Sequence, residues 1–562
     1  MLSENELVYS ETLDHLGLIA ATIKDIGLIE KIDELIPISK EKGAYLSIGE
    51  RCAGMILNGL GFVNTRLYLY AEFLADKPLD RLIGEGVLAE YFTDDSLARG
   101  LDEIAKYGVE KLFASLAYPI ALENNLLGNN VHMDTTSLTV WGDDYEDRDL
   151  ISKTDNLPTP EVNHGYSKAH RPDLKQVVLN MATTGAACFP LWMESHSGNA
   201  SDQKVLPESF KRVETFIKSI DSGAQFLYIA DSAAYSNCVK HNDHIIWLSR
   251  VPERIKACSK LVGLSNDSFM WDNHDNGYKS CCIGVKHEGV NQYWLLVFSQ
   301  QAYDRERKTF EKKLSKLDES LKKEAWHLSC QDYACKEDAE KTLKDFGKKL
   351  KYHTVEFNIK ETQHYSGKGR PKKGQQPEQV KYKVKATVQR DQESIDQQLL
   401  RKGRFVLATN DVESQLLTPN EMLSNYKKQS GTESGFAFMK NKDFQVSSIY
   451  LHTPHRISAL MMVMTLCLMV YCIAQHKLRS ALKEEEETIP NQNGKEIDNP
   501  TMLRVFKLFI GIQLLIIISG DKKQETVLNL NSVRLKIIDL FGSTARSIYG
   551  LDNKNGQNNN KN

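Results

Sequence analysis

A chain of 562 residues exceeds the size of one hydrophobic core, so about two to four domains are expected. Its 41% hydrophobic and 26% charged residues indicate a soluble globular protein, and its formal net charge of -3 excludes a chain that is basic throughout. Any surface for a polyanion must therefore be local. The first 130 residues are acidic, whereas residues 305–385 have an excess of lysine and arginine, which predicts nucleic-acid contact in the middle of the chain.

Three features bear on the cell compartment. The ten cysteines show no CxxC pair and no Cys/His ligand spacing, which argues against structural zinc and favours free thiols in a reducing cytoplasm. The N-terminus has neither a basic segment nor an apolar run, which argues against export. The apolar run Ile457–Ala474 approaches the length of a membrane span, but we expect it to be a buried core helix. No membrane partner is expected.

The first 128 residues are predicted to be helical. Amphipathic periodicity marks Leu16–Ile36, Ile48–Leu60 and Ser96–Leu122. A helical dimerisation or packing domain is one interpretation of this region.

The pattern then changes to strands, two of which deliver an acid. Asp134 follows apolar residues in NVHMDTTSLTV, and Asp231 follows them in QFLYIADSAAYS, so each is expected at the end of a buried strand, where α/β sheets bind ligands. The predicted order is three strands, one helix and two further strands: Val131–Val140, Gln176–Ala182, Phe189–Glu194, Asp202–Ser219, Phe226–Ile229 and His244–Val251. This order is that of a ribonuclease-H-like fold.

Two basic segments are candidates for phosphate contact. The segment NHGYSKAHRPDLKQ follows the first acid and contains Lys168, His170 and Arg171. The segment KGRPKKG contains Arg370, Lys372 and Lys373 and should be an exposed loop, able to enter a minor groove. For both, the alternative is an ordinary solvated loop.

The segment between the second acid and the end of the chain contains the third acid. Tyr426, Gln429, Glu433 and Lys440 are three, four and seven residues apart, which predicts that they share one face of one helix. One glutamate on a helix and two aspartates on strands could together hold two divalent cations.

The order Asp, Asp, Glu, with the glutamate inside a Y-x2-R-x3-E-x6-K pattern, resembles the DDE transposases of prokaryotic insertion sequences, specifically the insertion-sequence-four superfamily. Tyr426, Glu433 and Lys440 match the pattern, and Gln429 stands where the family has arginine. Glutamine can donate a hydrogen bond to a phosphate, but it brings no positive charge and no bidentate fork.

The resemblance implies a mechanism and partners. Asp134, Asp231 and Glu433 would be the catalytic, metal-holding residues, with Mg2+ as cofactor and Mn2+ able to substitute. Water would be the first nucleophile, and the freed 3'-hydroxyl would then attack target DNA. Double-stranded DNA, as terminal inverted repeats and as target, would be the partner of a homodimer in the synaptic complex, in the cytoplasm and associated with the nucleoid.

The predicted class is α/β, with a ribonuclease-H-like catalytic domain, its mixed sheet flanked by helices, interrupted by a β-rich and helical insertion. The predicted domains run in this order: 1–128, helical, for DNA-end binding or dimerisation; 129–254, first part of the core; 255–400, insertion; 401–480, second part with the Glu helix; 481–500, linker; 501–550, helical; 551–562, disordered tail. Two alternatives to a transposase stay open: a ribonuclease-H-like nuclease without strand transfer, and a catalytically decayed DNA-binding derivative.

Overall fold

The structure is a computed structural model that describes residues 6–37, 45–62, 69–141, 145, 158–167, 171–235, 245–366, 369–370, 373–412, 417–440 and 451–552. It divides into two compact units. Unit 1 comprises Met1–Leu248 and Ser424–Asn562, and unit 2 comprises Ser249–Leu423. A large mixed sheet with many helices confirms the predicted α/β class.

The N-terminal part of unit 1 is mainly helical, as predicted, but it begins with a strand. Its elements are β1 (Glu6–Thr12), α1 (Leu16–Asp25), α2 (Leu28–Leu35), α3 (Ile48–Leu60), α4 (Tyr70–Leu74), α5 (Leu79–Leu82), α6 (Asp94–Tyr107) and α7 (Val109–Glu123). Local sequence sets the helix starts. Ser47 and Glu50 form a reciprocal capping box at α3, and the Thr93 side chain accepts from the backbone N–H of Ser96 at α6.

The strands of unit 1 follow the predicted order. They are β2 (Asn130–Thr139), β3 (Gln176–Thr184), β4 (Phe189–Ser197), the helix α8 (Asp202–Ile220), β5 (Leu227–Ala230) and β6 (Trp247–Arg250), which crosses the boundary of the units. They lie in the order β4-β3-β2-β5-β6, with β2 antiparallel to β3 and parallel to β5. The central strand β2 is therefore paired on both edges, and its side chains are buried almost continuously, as in a strand whose two faces are both covered.

Unit 2 combines an antiparallel sheet with helices. Its elements are α9 (Lys256–Val262), β7 (Asp272–His274), β8 (Tyr278–His287), β9 (Val290–Ser299), α10 (Gln300–Ser329), β10 (Asp332–Tyr333), α11 (Lys336–Lys348), β11 (His353–His364), β12 (Gln379–Arg390), α12 (Gln392–Leu400) and β13 (Arg404–Thr409). One set of strands has the order β13-β9-β8-β7, and a second sheet has the order β10-β12-β11. Small apolar clusters, including Leu321 with Phe346 and Leu343 with Val384, pack α10 and α11 against one face of β11 and β12.

The C-terminal elements return to unit 1. They are α13 (Pro419–Lys427), which starts in unit 2, α14 (Ser430–Met439), α15 (Pro454–Glu484), β14 (Ile489–Pro490), β15 (Glu496–Ile497), α16 (Met502–Phe509), β16 (Gln513–Ser519), β17 (Lys522–Leu528), α17 (Ser532–Phe541) and α18 (Ser543–Ile548). The expectation that residues 501–550 are wholly helical is wrong. β16 pairs with β1, with Glu6 opposite Ser519, and β17 completes a three-stranded sheet because Gly520 at positive φ allows a two-residue turn.

The helix α15 is the core of unit 1. It is long and apolar enough to cross a membrane by length and composition, but 89% of its most apolar window is buried within the structure. It packs against α1, α3, α6 and α7 and against β4. At its start, Asp102 of α6 accepts hydrogen bonds from Arg456 at 2.7 and 2.8 Å and from His455 at 2.9 Å. The predicted core helix is thus the element around which the N-terminal helices pack.

Two buried glutamates lie close together between α7, α8 and β4. Glu194 accepts from Arg212 at 2.7 and 2.8 Å and from the His196 ring at 2.9 Å. Burial alone would raise the pKa of Glu194, but these hydrogen bonds outweigh it and lower the pKa well below its usual range. At Glu110, burial, reinforced by the charge of Glu194, outweighs the backbone hydrogen bonds and the His196 ring, and it raises the pKa to about 7.

We expect Glu110 to make stability depend on pH. Because its pKa is raised in the folded state, the stabilisation is present below about 4.5 and is lost as pH rises through about 7. Glu110→Gln does not titrate, so its free energy of unfolding should gain about 3 kcal/mol over wild type between pH 4 and pH 8. Urea unfolding at both pH values measures this. The control Glu123→Gln, at the exposed end of α7, should change by less than about 1 kcal/mol, and an equal change in both variants would contradict the assignment.

Candidate functional site

Asp134 and Asp231 lie on neighbouring parallel strands at the same level. Met133 of β2 is opposite Ala230 of β5, and the two aspartates are the next residues along each strand. Neighbouring strands are about 4.8 Å apart, so the two carboxylates leave adjacent backbone positions. Asp134 is in the middle of β2, not at its end as expected, because β3 continues to pair with β2 as far as Thr139. Only β5 ends there.

Both aspartates face away from α8. Thr135 donates from Oγ1 to Oδ1 of Asp202 at 2.6 Å, and Tyr228 donates from its hydroxyl to Oε2 of Glu214 at 2.6 Å, so these two side chains point towards α8. Side chains alternate along a strand, which turns Asp134 to the opposite face and, by continuation of β5, Asp231 as well. The two acids therefore share one face of the sheet.

The helix α14, which bears Glu433, lies on that same face. Met181, the cross-strand partner of Asp134, lies 3.4 Å from where a β-carbon on Gly435 of α14 would be. The hydroxyls of Thr183 and Thr432 are 2.6 Å apart. Thr432 and Met439 are buried within unit 1, whereas Glu433 is exposed. Glu433 is thus on the helix that covers the face to which both aspartates point, next to a buried residue of that helix.

The stretch predicted as one helix is two. α13 ends at Lys427 and α14 begins at Ser430, with Gln429 as the N-cap of α14 and Lys440 as its C-cap. The expectation that Tyr426, Gln429, Glu433 and Lys440 share one helical face is therefore wrong. Serine and glycine open the second helix, and both are poor in a helix interior, so the chain turns between Lys427 and Ser430. Gln429 is only 7% exposed.

The predicted DNA-contacting loops are partly described. Arg171 pairs with Asp173 through two nitrogens, at 2.9 and 2.7 Å, and lies over the Trp141 ring. Lys168 and His170 lie outside the described residues, as does Lys372. Arg370 and Lys373 belong to unit 2 and are exposed. Arg171 is thus neutralised locally, while Arg370 and Lys373 are accessible.

The donor set fits a hard divalent cation in chemistry, but it is incomplete in this arrangement. Carboxylate oxygens are the ligands that Mg2+ prefers, together with water and substrate oxygens. Within the described ranges no group of three or more His, Cys, Asp or Glu side chains lies close enough to hold a metal ion. Asp134 and Asp231 would provide two protein ligands, and Glu433 would have to approach them.

His132 belongs to this face and was missed from the sequence. It lies two residues before Asp134, is 4% exposed, and neither ring nitrogen has a hydrogen-bond partner among the described residues. Burial, with the nearby charge of Lys428, lowers its pKa to about 4, so the ring is neutral. Asn130, two residues earlier, donates to Asn425 of α13 at 2.9 Å. The period of two in Asn130, His132 and Asp134 was the available signal.

Three comparisons with known proteins place these features in context. Residues 8–118 match the family model described as Domain of unknown function (DUF4277). No curated protein matches the sequence. The chain is similar to a solved cryo-EM structure of a piggyBac transposase synaptic complex with hairpin DNA, at 9% sequence identity and a TM-score of 0.36, with 98% of this chain and 85% of that chain covered. A similarity of this size does not establish a shared fold.

The glycines of α14 make its position testable. A β-carbon on Gly431 would overlap Sγ of Cys188, whereas on Gly435 it would meet only flexible ends of Leu468 and Met181 at 3.1 and 3.4 Å. We expect Gly431→Ala to cost about 1–3 kcal/mol of stability, because the start of α14 must move. Gly435→Ala should stay within about 1 kcal/mol of wild type. Thermal unfolding of both variants is the measurement, and equal stabilities would contradict this packing of α14.

Proposed function

We propose that this protein is a DNA transposase that cuts and joins DNA strands with Asp134, Asp231 and Glu433. The observation that carries the proposal is the pair of aspartates on adjacent parallel strands, facing the side of the sheet on which α14 bears Glu433. Two strand acids and one helix acid in this chain order are what the DDE resemblance implies.

Two coarser features support the class. The family model that matches residues 8–118 is that of a domain found in transposases. In the large sheet of unit 1 the strands lie in the order β4-β3-β2-β5-β6, and the helix α8 connects β4 to β5. This order supports a ribonuclease-H-like catalytic domain, and we propose that fold for unit 1. Residues 255–400 would then be its insertion, and residues 1–128 would bind DNA ends or dimerise.

The proposed function assigns two roles to these residues, metal binding and phosphate contact. Asp134, Asp231 and Glu433 would hold Mg2+ or Mn2+, which when bound would stabilise charge on the attacking and leaving oxygens of an in-line displacement. Lys440 would contact a phosphate near the cut end through its charge, and Tyr426 through its hydroxyl. Gln429 is buried at the start of α14, so we assign it a hydrogen bond at most, and no neutralising role.

The partner would be double-stranded DNA, first as the terminal inverted repeats of the element and then as target. Arg171, Arg370 and Lys373, together with Lys168, His170 and Lys372, would contact phosphates, which position a duplex without reading its sequence. Bringing two ends together calls for a homodimer in the synaptic complex. The site of action would be the cytoplasm, at the nucleoid.

Gln429 favours a second candidate, a catalytically decayed DNA-binding derivative. The family's arginine would supply a charge that glutamine lacks, and the glutamine is buried instead of presented. A decayed protein would still bind duplex DNA but would not cut it. A ribonuclease-H-like nuclease, the third possibility, would cut DNA without joining the cut end to a second duplex.

Metal-dependent cutting tests the proposal. We expect wild type to cleave a labelled duplex that carries the flanking repeats in Mg2+ or Mn2+ and to join the cut end to a second duplex. Glu433→Gln and Asp134→Asn should each reduce cleavage roughly a hundred-fold or more, because each removes a ligand whose cation supplies several kcal/mol. Gel analysis of products measures both steps. Glu90→Gln, an exposed carboxylate of unit 1, is the control.

A second readout separates metal binding from activity. Mn2+ should raise the unfolding temperature of wild type, but not that of an Asp134→Asn/Asp231→Asn variant, since a cation that binds only the folded state stabilises it. Equal cutting by wild type and Glu433→Gln would rule out the assigned acids. Duplex binding without cutting by any form would favour the decayed derivative.

A further inference from the structure

The hairpin formed by β11 and β12 in unit 2 has one face covered and one face open. Val355, Ile359, Tyr382 and Val384 point to the face that packs against α10 and α11. The alternate residues of the two strands form the opposite face, which is polar throughout and accessible to solvent. They are Thr354, Glu356, Asn358, Lys360, Thr362 and His364 of β11, and Gln379, Lys381, Lys383, Lys385, Thr387 and Gln389 of β12. We call this set the ribbon face. It offers nothing to an apolar partner.

The ribbon face is basic. It carries four lysines, Lys360, Lys381, Lys383 and Lys385. The acidic residues beside them are two, Glu356 of β11 and Asp332 of the neighbouring strand β10. Asp332 accepts from Lys381 at 3.2 Å and is 3.5 Å from Lys383, so one carboxylate serves two lysines. Lys360 and Lys385 have no acidic partner in the part of the chain that the structure describes.

The arrangement is unfavourable for the isolated hairpin. Lys360 is directly opposite Lys383 in the antiparallel register, and like charges in that position destabilise a strand pair. Beyond Ile359 and Tyr382, where the last apolar cluster ends, both faces of the hairpin are largely exposed as far as His364 and Gln379. A two-stranded ribbon without a core is marginal by itself. A polyanion laid along the ribbon face would remove the repulsion.

We propose that the ribbon face is a docking surface for the phosphate backbone of duplex DNA, with Lys360 and Lys385 as its principal contacts. The choice of DNA rests on the proposed function. Lysines at every second residue of β12 recur at about 6.8 Å, so several can reach phosphates from one rigid strand. Arg370 and Lys373, in the segment that joins the two strands, are exposed as well.

The test is the salt dependence of duplex binding by the full chain, measured in EDTA with a labelled 30-base-pair duplex so that cutting plays no part. Lys360→Ala/Lys385→Ala should bind roughly ten- to fifty-fold more weakly near 0.1 M salt, and its slope of log affinity against log salt should be shallower by about 1.8. Lys360→Arg/Lys385→Arg keeps the charge and should keep the slope.

A matched control loses the same charge elsewhere in unit 2. Lys341 and Lys344 are exposed on α11, which packs on the covered face of the hairpin, so Lys341→Ala/Lys344→Ala should bind like wild type. Equal slopes for the two alanine variants would overturn the proposal. So would an unchanged Lys360→Ala/Lys385→Ala in a protein that cuts DNA, and that result would leave the proposed function standing. A shallower slope for Lys360→Ala/Lys385→Ala in a protein that never cuts DNA would support DNA binding by the ribbon face and contradict the proposed transposase activity.

Discussion

The alternation of side chains along β2 is the constraint on which the candidate site depends. β2 is paired on both edges, and a shift of its pairing register by one residue would turn every side chain to the opposite face. Thr135 is fixed towards α8 by its hydrogen bond to Asp202, and Asp134 is thereby held on the other face. The parallel register with β5 then sets Asp231 beside it. Backbone pairing, and not side-chain attraction, brings two like charges together.

The second requirement is a platform for α14. The long apolar helix α15 packs against the N-terminal helices and also against α14. Gly435 of α14 lies close to Leu468 of α15. Glycine at position 431 leaves no β-carbon to overlap Cys188, and glycine at position 435 leaves room for the flexible ends of Leu468 and Met181. The same glycines weaken the helix intrinsically, by about 1 kcal/mol each. The two glycines therefore both allow α14 to pack closely and lower its intrinsic stability as a helix.

Local patterns were sufficient for much of the fold. Strands β2, β3 and β4 and the helix α8 lie where apolar alternation and periodicity predicted them, because each buries a face that its own sequence marks. The pairing of β1 with β16 was not predictable, since partners such as Glu6 and Ser519 are at opposite ends of the chain. The break at Gln429 was missed because a spacing of three, four and seven fits a helix whether or not the chain continues through it. The roles of Asp134, Asp231 and Glu433 stay predictions.

The position of Glu433 has a physical consequence for any metal site built on this face. Two carboxylates on adjacent strands repel one another, and a third on the same rigid sheet would add to the cost of the empty site. Glu433 is instead an exposed residue of α14, whose other face is buried through Thr432 and Met439, so its carboxylate can stay in solvent until a cation repays its desolvation. Phosphate oxygens of DNA are themselves ligands for such a cation. In the proposed transposase, completion of the site would therefore coincide with binding of DNA, because its phosphate would supply further ligands for the cation.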